Sequence, residues 1–449
     1  MRYVLKFGGT SVGSQVGFQN IKRILLKQEY CNFKQLIVVS AASKSTNYLI
    51  NIYDNLINKN IEQEIIKIKF LEYRNHEENL NKNLNINHNY FDLFFDELGS
   101  LLYEHLIKKN ITYSNIDLNK LKDQIVSFGE RISMCRLYNY LKLNGINSIY
   151  KPSWELGFIT DSVYTEATLL QSSYPNINKI INNIKDNIII TSGFIGKDIE
   201  GNITTLGRGG GDLSASLFSS ALNAPEIQIW SDVPGIMTCD PRVIKKSKLI
   251  HEMTYNEALE LSFHGAKILH PQTVEPLLGK NISMRVLNTF DIDSKGTLIK
   301  KNALNKYGPC GLSFSKDNLI LQITPKNELI TNHLISDIFN ILDNNHHHLV
   351  SISKTSMSVA VNDITEDTLR HLSKKFNIEI NKGISVICLV GENMHNKLGI
   401  ASKFFQTITD CNINIEMISQ SSLQTNILVA VKNENLIKLL EKLHEVFFE

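Results

Sequence analysis

Paired cysteines are missing from this chain. Its six cysteines, Cys31, Cys135, Cys239, Cys310, Cys388 and Cys411, are scattered, and no Cys-X-X-Cys occurs. That pattern argues against a zinc site or a disulfide framework and predicts a reducing, cytoplasmic setting. Also missing is any apolar run near the ~20 residues a membrane span needs. Met1 leads straight into the apolar residues 3–5, without an apolar or Arg-rich leader. Neither sign of charge dominates: 47 Lys and Arg against 45 Asp and Glu leave +2, so no electrostatic case exists for a nucleic-acid partner. Gly-X-Gly-X-X-Gly is absent, which disfavours a dinucleotide site. Gly8 and Gly13 have the spacing of a P-loop, but Ser14 stands where its lysine belongs, which disfavours a Walker-type NTPase.

What is present begins at Lys6-Phe7-Gly8-Gly9-Thr10-Ser11, directly after the apolar residues 3–5. The order reads as strand, glycine turn, helix. Backbone N–H groups at such a turn form an anion cradle, and Lys6 adds a positive charge beside it. The hexapeptide alone fits a phosphate site and a plain β-turn-α connection equally well. Residues 36–41 form a buried-type strand, and a helix over about 16–28 joins it to the first. This βαβ unit predicts a parallel sheet. A long helical region follows over about 46–143, with an Asn-rich patch at 79–89 read as a solvated helix–loop. Strands return at 148–151, 187–191 and 227–230, with helices near 212–222 and 256–263, an α/β pattern to about residue 288.

Four further clusters carry candidate chemistry. In Ser127-Phe128-Gly129-Glu130-Arg131, Glu130 at a helix start either holds an ammonium group or answers the helix dipole. In Thr204-Thr205-Leu206-Gly207-Arg208-Gly209-Gly210-Gly211-Asp212, the glycines allow close backbone approach and Arg208 offers a fork that fits a carboxylate. Residues 231–242, with Ser231, Asp232, Met237 and Arg242, follow a strand at the end where open α/β sheets bind ligands; a structural hairpin is the competing reading. In the segment 263–271, Lys267 is either a phosphate ligand or a solvated lysine. The run His346-His347-His348 reads as a surface loop rather than a metal site, because three adjacent side chains do not converge on one ion.

The last third changes pattern. Strand and helix signals over 319–381 spell βαββαβ, and the order restarts at 385–390 but ends one strand short. An incomplete ferredoxin-like sheet leaves an edge unpaired. Residues 310–315 are therefore expected to supply the missing strand, with the first repeat inserted within the second.

Together these segments resemble the aspartate kinases of the amino acid kinase family, closest in layout to the monofunctional, lysine-sensitive type. The matching stretches are 6–11, 127–131, 191–196, 205–212, 231–242 and 265–271, and the paired C-terminal repeats are similar to ACT domains. The resemblance implies a mainly parallel sheet sandwiched by helices over residues 1–292, a linker over 293–309, and two ferredoxin-like domains. The first spans 318–382 and the second 310–317 plus 383–449. It implies transfer of a phosphoryl group from ATP to the β-carboxylate of L-aspartate, the first step toward lysine, threonine, methionine and diaminopimelate. Mg²⁺ would be held mainly by the nucleotide. In this reading Lys6 stabilises the transition state, Gly8 and Gly9 cradle phosphates, and Asp212 orients the cationic groups. Arg208 holds the substrate α-carboxylate and Glu130 its amino group, with Thr46, Phe194 and Gly211 lining the pocket. Ser231, Asp232, Met237, Arg242 and Lys267 serve the nucleotide.

Two departures from the family pattern are Gly211, where a serine is usual, and Met237, where a tyrosine is usual. The effector positions of the first ACT repeat fall at Glu328, His333, His348, Val350 and Thr355. His333 and Val350 replace a glycine and an acidic residue, which predicts weakened lysine inhibition with the repeats retained for homodimer assembly. Kinases of the same family acting on glutamate, acetylglutamate or a nucleoside monophosphate, and a catalytically silent amino-acid sensor, are the competing readings.

Overall fold

The computed structural model describes residues 2–27, 33–58, 61–107, 114–265, 269–303, 308–326, 328–342, 347–420 and 425–449. Two compact units divide it: residues 1–235 with 270–301, and residues 236–269 with 302–449. No helix among the described residues is long and apolar enough to cross a membrane.

The first unit is built on a mainly parallel sheet. Its strands run in the order Ile149–Tyr150, Ile188–Ser192, Lys34–Val39, Arg2–Phe7, Glu226–Ser231, Ser283–Asn288, Thr297–Lys300, and only the last pair is antiparallel. The strand period of two divides the side chains between faces. Leu5, Phe7, Ile37, Val39 and Ile190 share a core with Phe128, Ile132 and Leu137 of the helix Phe128–Leu143. The alternate residues, Val4, Lys6, Leu36, Val38 and Ile189, point to the other face, and the helix Gly210–Leu222 packs across those strands. Burial on both faces explains the continuous apolar runs of the central strands. The strand Thr297–Lys300 corrects the reading of 293–309 as linker. Thr297 and Ile299 are fully buried and pair with Val286 and Met284, an alternation too short to stand out among polar neighbours.

The Asn-rich patch 79–89 is the end of a helix and the loop after it, with Asn79, Asn83, Asn85, Asn87 and Asn89 exposed. The helix Gln63–Asn83 carries its first part, and Leu80, Asn81, Leu84 and Ile86 turn inward and are buried. Asn81 is the exception among the asparagines, as a partner for a buried arginine described below.

In the second unit six antiparallel strands run in the order His347–Ile352, Met357–Val361, Gly311–Pro325, Phe376–Val390, Asn426–Lys432, Met417–Gln420. Two 15-residue strands span it. Residues 311–315 pair with 386–390, and residues 318–325 pair with 376–384, with register shifts between. The sequence reads separate strands at 379–381 and 385–390. The chain instead continues through them, because Gly383 (φ 72°) bends the strand without breaking it. Separate apolar cores lie at the two ends of the sheet, one around Leu321, Ile338 and Val359, the other around Leu389, Phe404 and Leu439. His348 also departs from expectation. It lies in the edge strand, 7% exposed, with Nε2 bonded to Asn362 Oδ1, rather than on a surface loop.

Candidate active site

The candidate residues collect where the parallel strands of the first unit end, the side on which open α/β sheets bind ligands. Lys6 is the penultimate residue of its strand. Its Nζ lies 2.6 Å from Asp212 Oδ1, and both side chains are mostly buried. Asp212 sits in the first turn of the helix Gly210–Leu222, so the helix N-terminus points at the same place. Gly8 donates its N–H to Trp230 O at 2.9 Å, and a methyl group at Gly8 would stand 3.7 Å from Lys6 Nζ. Gly9 is required for a different reason. A Cβ there would come within 2.8 Å of Ala41 O, so only glycine lets the two loops touch.

The loop 40–46 forms the next wall. Ser40 donates its N–H to Phe7 O and Ser43 donates to Gly9 O, which fixes the loop against the glycine turn. Glu130 approaches from the helix Phe128–Leu143. Gly129 permits this, since a Cβ on it would meet Ala41 Cβ at 2.7 Å. Glu130 Oε1 then accepts from Ala41 N at 3.0 Å, while Oε2 is buried without a hydrogen-bond partner. Burial pushes the Glu130 carboxyl up to about 8, against the opposing pull of the Ala41 N–H and Lys6, with Glu77 adding to the rise. A buried carboxylate lacking one partner suits a ligand ammonium group.

Phe194 closes the pocket in a left-handed conformation (φ 64°), held by its N–H to Ser214 Oγ at 2.8 Å and its carbonyl to Leu206 N. Strain of this kind in a bulky residue collects at functional sites. Gly210 makes room for the ring, because a Cβ there would meet it at 2.7 Å. The result is a cavity of about 270 Å³ lined by Lys6, Ser40, Ala41, Thr46, Glu130, Phe194, Gly207, Gly209, Gly210, Gly211 and Asp212. Behind it Asp123 ties the strand Ile203–Thr205 to the loop at Thr165, accepting from Thr205 N, Thr205 Oγ1 and Thr165 N.

The cavity thus unites Lys6, Thr46, Glu130, Phe194, Gly211 and Asp212. Arg208 stands apart. It is exposed between two left-handed glycines, Gly207 and Gly209, and lines an adjoining cavity of about 580 Å³ with Glu166, His270 and Glu275. Ser231 ends the strand beside Lys6, since Phe7 pairs with Trp230, and its Oγ accepts from Val233 N. Asp232 follows it on the surface. Met237 and Arg242 belong to the second unit, where Met237 bridges to Leu249 and Arg242 is held by Asp240 at 2.6 Å. Lys267 lies outside the described residues. Of the effector positions, Glu328, His333 and Thr355 are exposed, and Val350 packs against the core of the first repeat. Sequence reasoning missed Ser40 and Ala41, whose only signal was their place directly after a buried strand.

The fold and the pocket are those of a small-molecule phosphotransferase, with a lysine, a glycine-rich loop and a helix N-terminus sharing one cavity with a buried carboxylate. The profile of the amino acid kinase family matches residues 1–288, and that of the ACT domain matches residues 387–447. The chain belongs to the amino acid kinase family. It is 29% identical to aspartokinase 1, chloroplastic, of Arabidopsis thaliana over 99% of this chain and 80% of that one. With lysine-sensitive aspartokinase 3 of Escherichia coli it shares 26% identity over 99% of both chains. Among solved structures, E. coli aspartokinase III in complex with aspartate and ADP (R-state) superposes with a TM-score of 0.83 at 26% identity, covering 100% of both chains. The same enzyme in complex with lysine and aspartate (T-state) gives 0.80 at 27%, covering 100% of this chain and 99% of that one.

Proposed function

We infer that this chain is an aspartate kinase, transferring the γ-phosphoryl group of ATP to the β-carboxylate of L-aspartate to give 4-phospho-L-aspartate and ADP. The observation that carries the reading is the pairing, across one 270 Å³ cavity, of a phosphate-type wall with the buried Glu130 carboxylate. An amino acid fits with its ammonium group at Glu130 Oε2 and its side-chain carboxylate toward Lys6.

That side-chain carboxylate is the nucleophile. With a reference pKa of ~3.9 it is ionised at neutral pH, so no general base is required. What the protein must supply is alignment and charge neutralisation. Lys6 Nζ provides the positive charge, and Asp212 at 2.6 Å holds it in place. The N–H groups of the glycine turn and of the helix N-terminus at Gly210 and Gly211 provide further donors. Thr46 and Phe194 bound the substrate. Arg208, between two flexible glycines, swings from the adjoining cavity to take the α-carboxylate. Ser231, Asp232, Met237, Arg242 and Lys267 serve the nucleotide.

The donor set suits Mg²⁺ that enters with ATP: of the two cavity carboxylates, Asp212 is engaged by Lys6 and Glu130 faces the amine side. When bound, the ion neutralises charge on the β- and γ-phosphates.

The domain assignment accompanying this reading carries the catalytic domain through the strand Thr297–Lys300 and keeps the two ACT domains at 318–382 and at 310–317 plus 383–449. Homodimer assembly runs through the ACT pair, and the setting is cytoplasmic, in keeping with Cys135, Cys239, Cys388 and Cys411 standing as thiols. Lysine response is weakened, because His333 is exposed and Val350 is aliphatic, so neither offers a carboxylate to an effector amine. ADP release measured with aspartate, glutamate, N-acetylglutamate and a nucleoside monophosphate tests the assignment. Aspartate alone should support turnover; turnover with any of the others in its place would refute it.

A further inference from the structure

The pocket is backed by a buried charged network that the proposed chemistry does not use. Glu77, 1% exposed, reaches inward from the helix Gln63–Asn83. Its Oε1 accepts from Ser45 Oγ, and its Oε2 accepts from Arg136 Nη2 at 2.5 Å. Arg136 is fully buried and also donates from Nε to Asn81 Oδ1 at 2.6 Å, with its guanidinium 5.6 Å from the centre of the Phe91 ring. From the preceding residue of Glu77's helix, His76 Nε2 contacts Ser43 O at 3.0 Å.

These contacts join two walls of the cavity. Ser45 adjoins Thr46 at the start of the helix Ser45–Ile57, which follows the left-handed Lys44 (φ 72°). Arg136 lies on the helix that carries Glu130. Burying an ion pair is costly, and an apolar pair of the same volume often serves stability as well or better. Stability alone therefore gives weak reason for Glu77 and Arg136 here. Geometry gives a stronger one, since a single carboxylate fixes the distance between Thr46 and Glu130.

We propose that Glu77 is a positioning residue for the amino-acid half of the site, acting through Ser45 on Thr46 and through Arg136 on the helix that presents Glu130. The proposal rests on the aspartate kinase reading above. It predicts that disturbing the network weakens aspartate binding and leaves the nucleotide side alone.

Two full-length variants test it. Ser45→Ala removes one hydroxyl contact and retains the ion pair. It should raise the aspartate KM about 3- to 10-fold and change the MgATP KM less than twofold. Glu77→Gln alone strands Arg136 without its counter-charge, so the second variant is the double Glu77→Gln/Arg136→Met. It should raise the aspartate KM at least 10-fold and again change the MgATP KM less than twofold. A purely structural role would not separate the two KM values. An unchanged aspartate KM in active Ser45→Ala, and in the double variant where it folds, overturns the positioning role and leaves the kinase assignment standing. Absence of aspartate turnover in the unaltered chain overturns both.

Discussion

Glu130→Gln should make the protein more stable and a poorer enzyme. The Glu130 carboxyl is raised from 4.5 to about 8, chiefly by burial. A carboxyl of this kind favours the fold fully below pH 4.5, where it is neutral in both states. That advantage is lost as pH rises from 4.5 to about 8, because the unfolded chain ionises first. At pH 7 the interval of roughly 2.5 units corresponds to about 3 kcal/mol, and above pH 8 to about 5 kcal/mol. Glutamine retains an acceptor for Ala41 N and does not ionise. Thermal unfolding followed at pH 4.5, 7 and 8 should give matching midpoints for both proteins at the lowest pH. At pH 7 the variant should lead by on the order of 5 °C. Aspartate KM should rise roughly 10- to 100-fold, since a charged hydrogen bond contributes about 1.5–3 kcal/mol. In the unaltered chain aspartate KM should fall as pH rises toward 8, as Glu130 gains its charge. A variant equal to or less stable than the unaltered protein at pH 8 would refute the argument, because Glu130 would then be a stabilised carboxylate without the ligand.

Other substitutions separate the remaining roles. Lys6→Ala should lower kcat about 10²- to 10³-fold with either KM changed only a few-fold, read by steady-state ADP release; a near-normal kcat would remove Lys6 from the mechanism. Arg208→Ala should chiefly raise the aspartate KM, by about 10- to 100-fold, and an unchanged value would leave Arg208 in the adjoining cavity where the structure has it. Gly129→Ala adds a helix-favouring residue but forces a Cβ to 2.7 Å from Ala41 Cβ. The clash should win by roughly 1–3 kcal/mol, lowering the thermal midpoint and raising the aspartate KM together; a more stable variant would mean the loops yield freely.

Much of the candidate site was legible because glycine clusters beside single charges are local signals. Lys6 with Gly8 and Gly9, and Asp212 after Gly209–211, owe their positions to backbone geometry that neighbouring residues specify. The α/β order of the first unit was legible for the same reason, in runs such as residues 36–41. What escaped was non-local. Glu77 and Arg136 stand 59 positions apart on two different helices and meet only in the folded chain. The strand Thr297–Lys300 has four residues and finds its identity only beside Ser283–Asn288. Gly383 reads as a break in any single strand, yet a 15-residue strand runs through it because the strand Gly311–Pro325 pairs with it on either side of the glycine, at Asn381 and at Ile384. The orientation of Arg208 depends on φ at two glycines, which sequence leaves open.

The most direct measurement of the central claim is acyl phosphate formation by the full-length chain with MgATP, trapped as the hydroxamate by hydroxylamine. L-Aspartate should give ATP-dependent hydroxamate and L-glutamate none. Folded protein that binds ATP and yields no aspartyl hydroxamate would contradict the account.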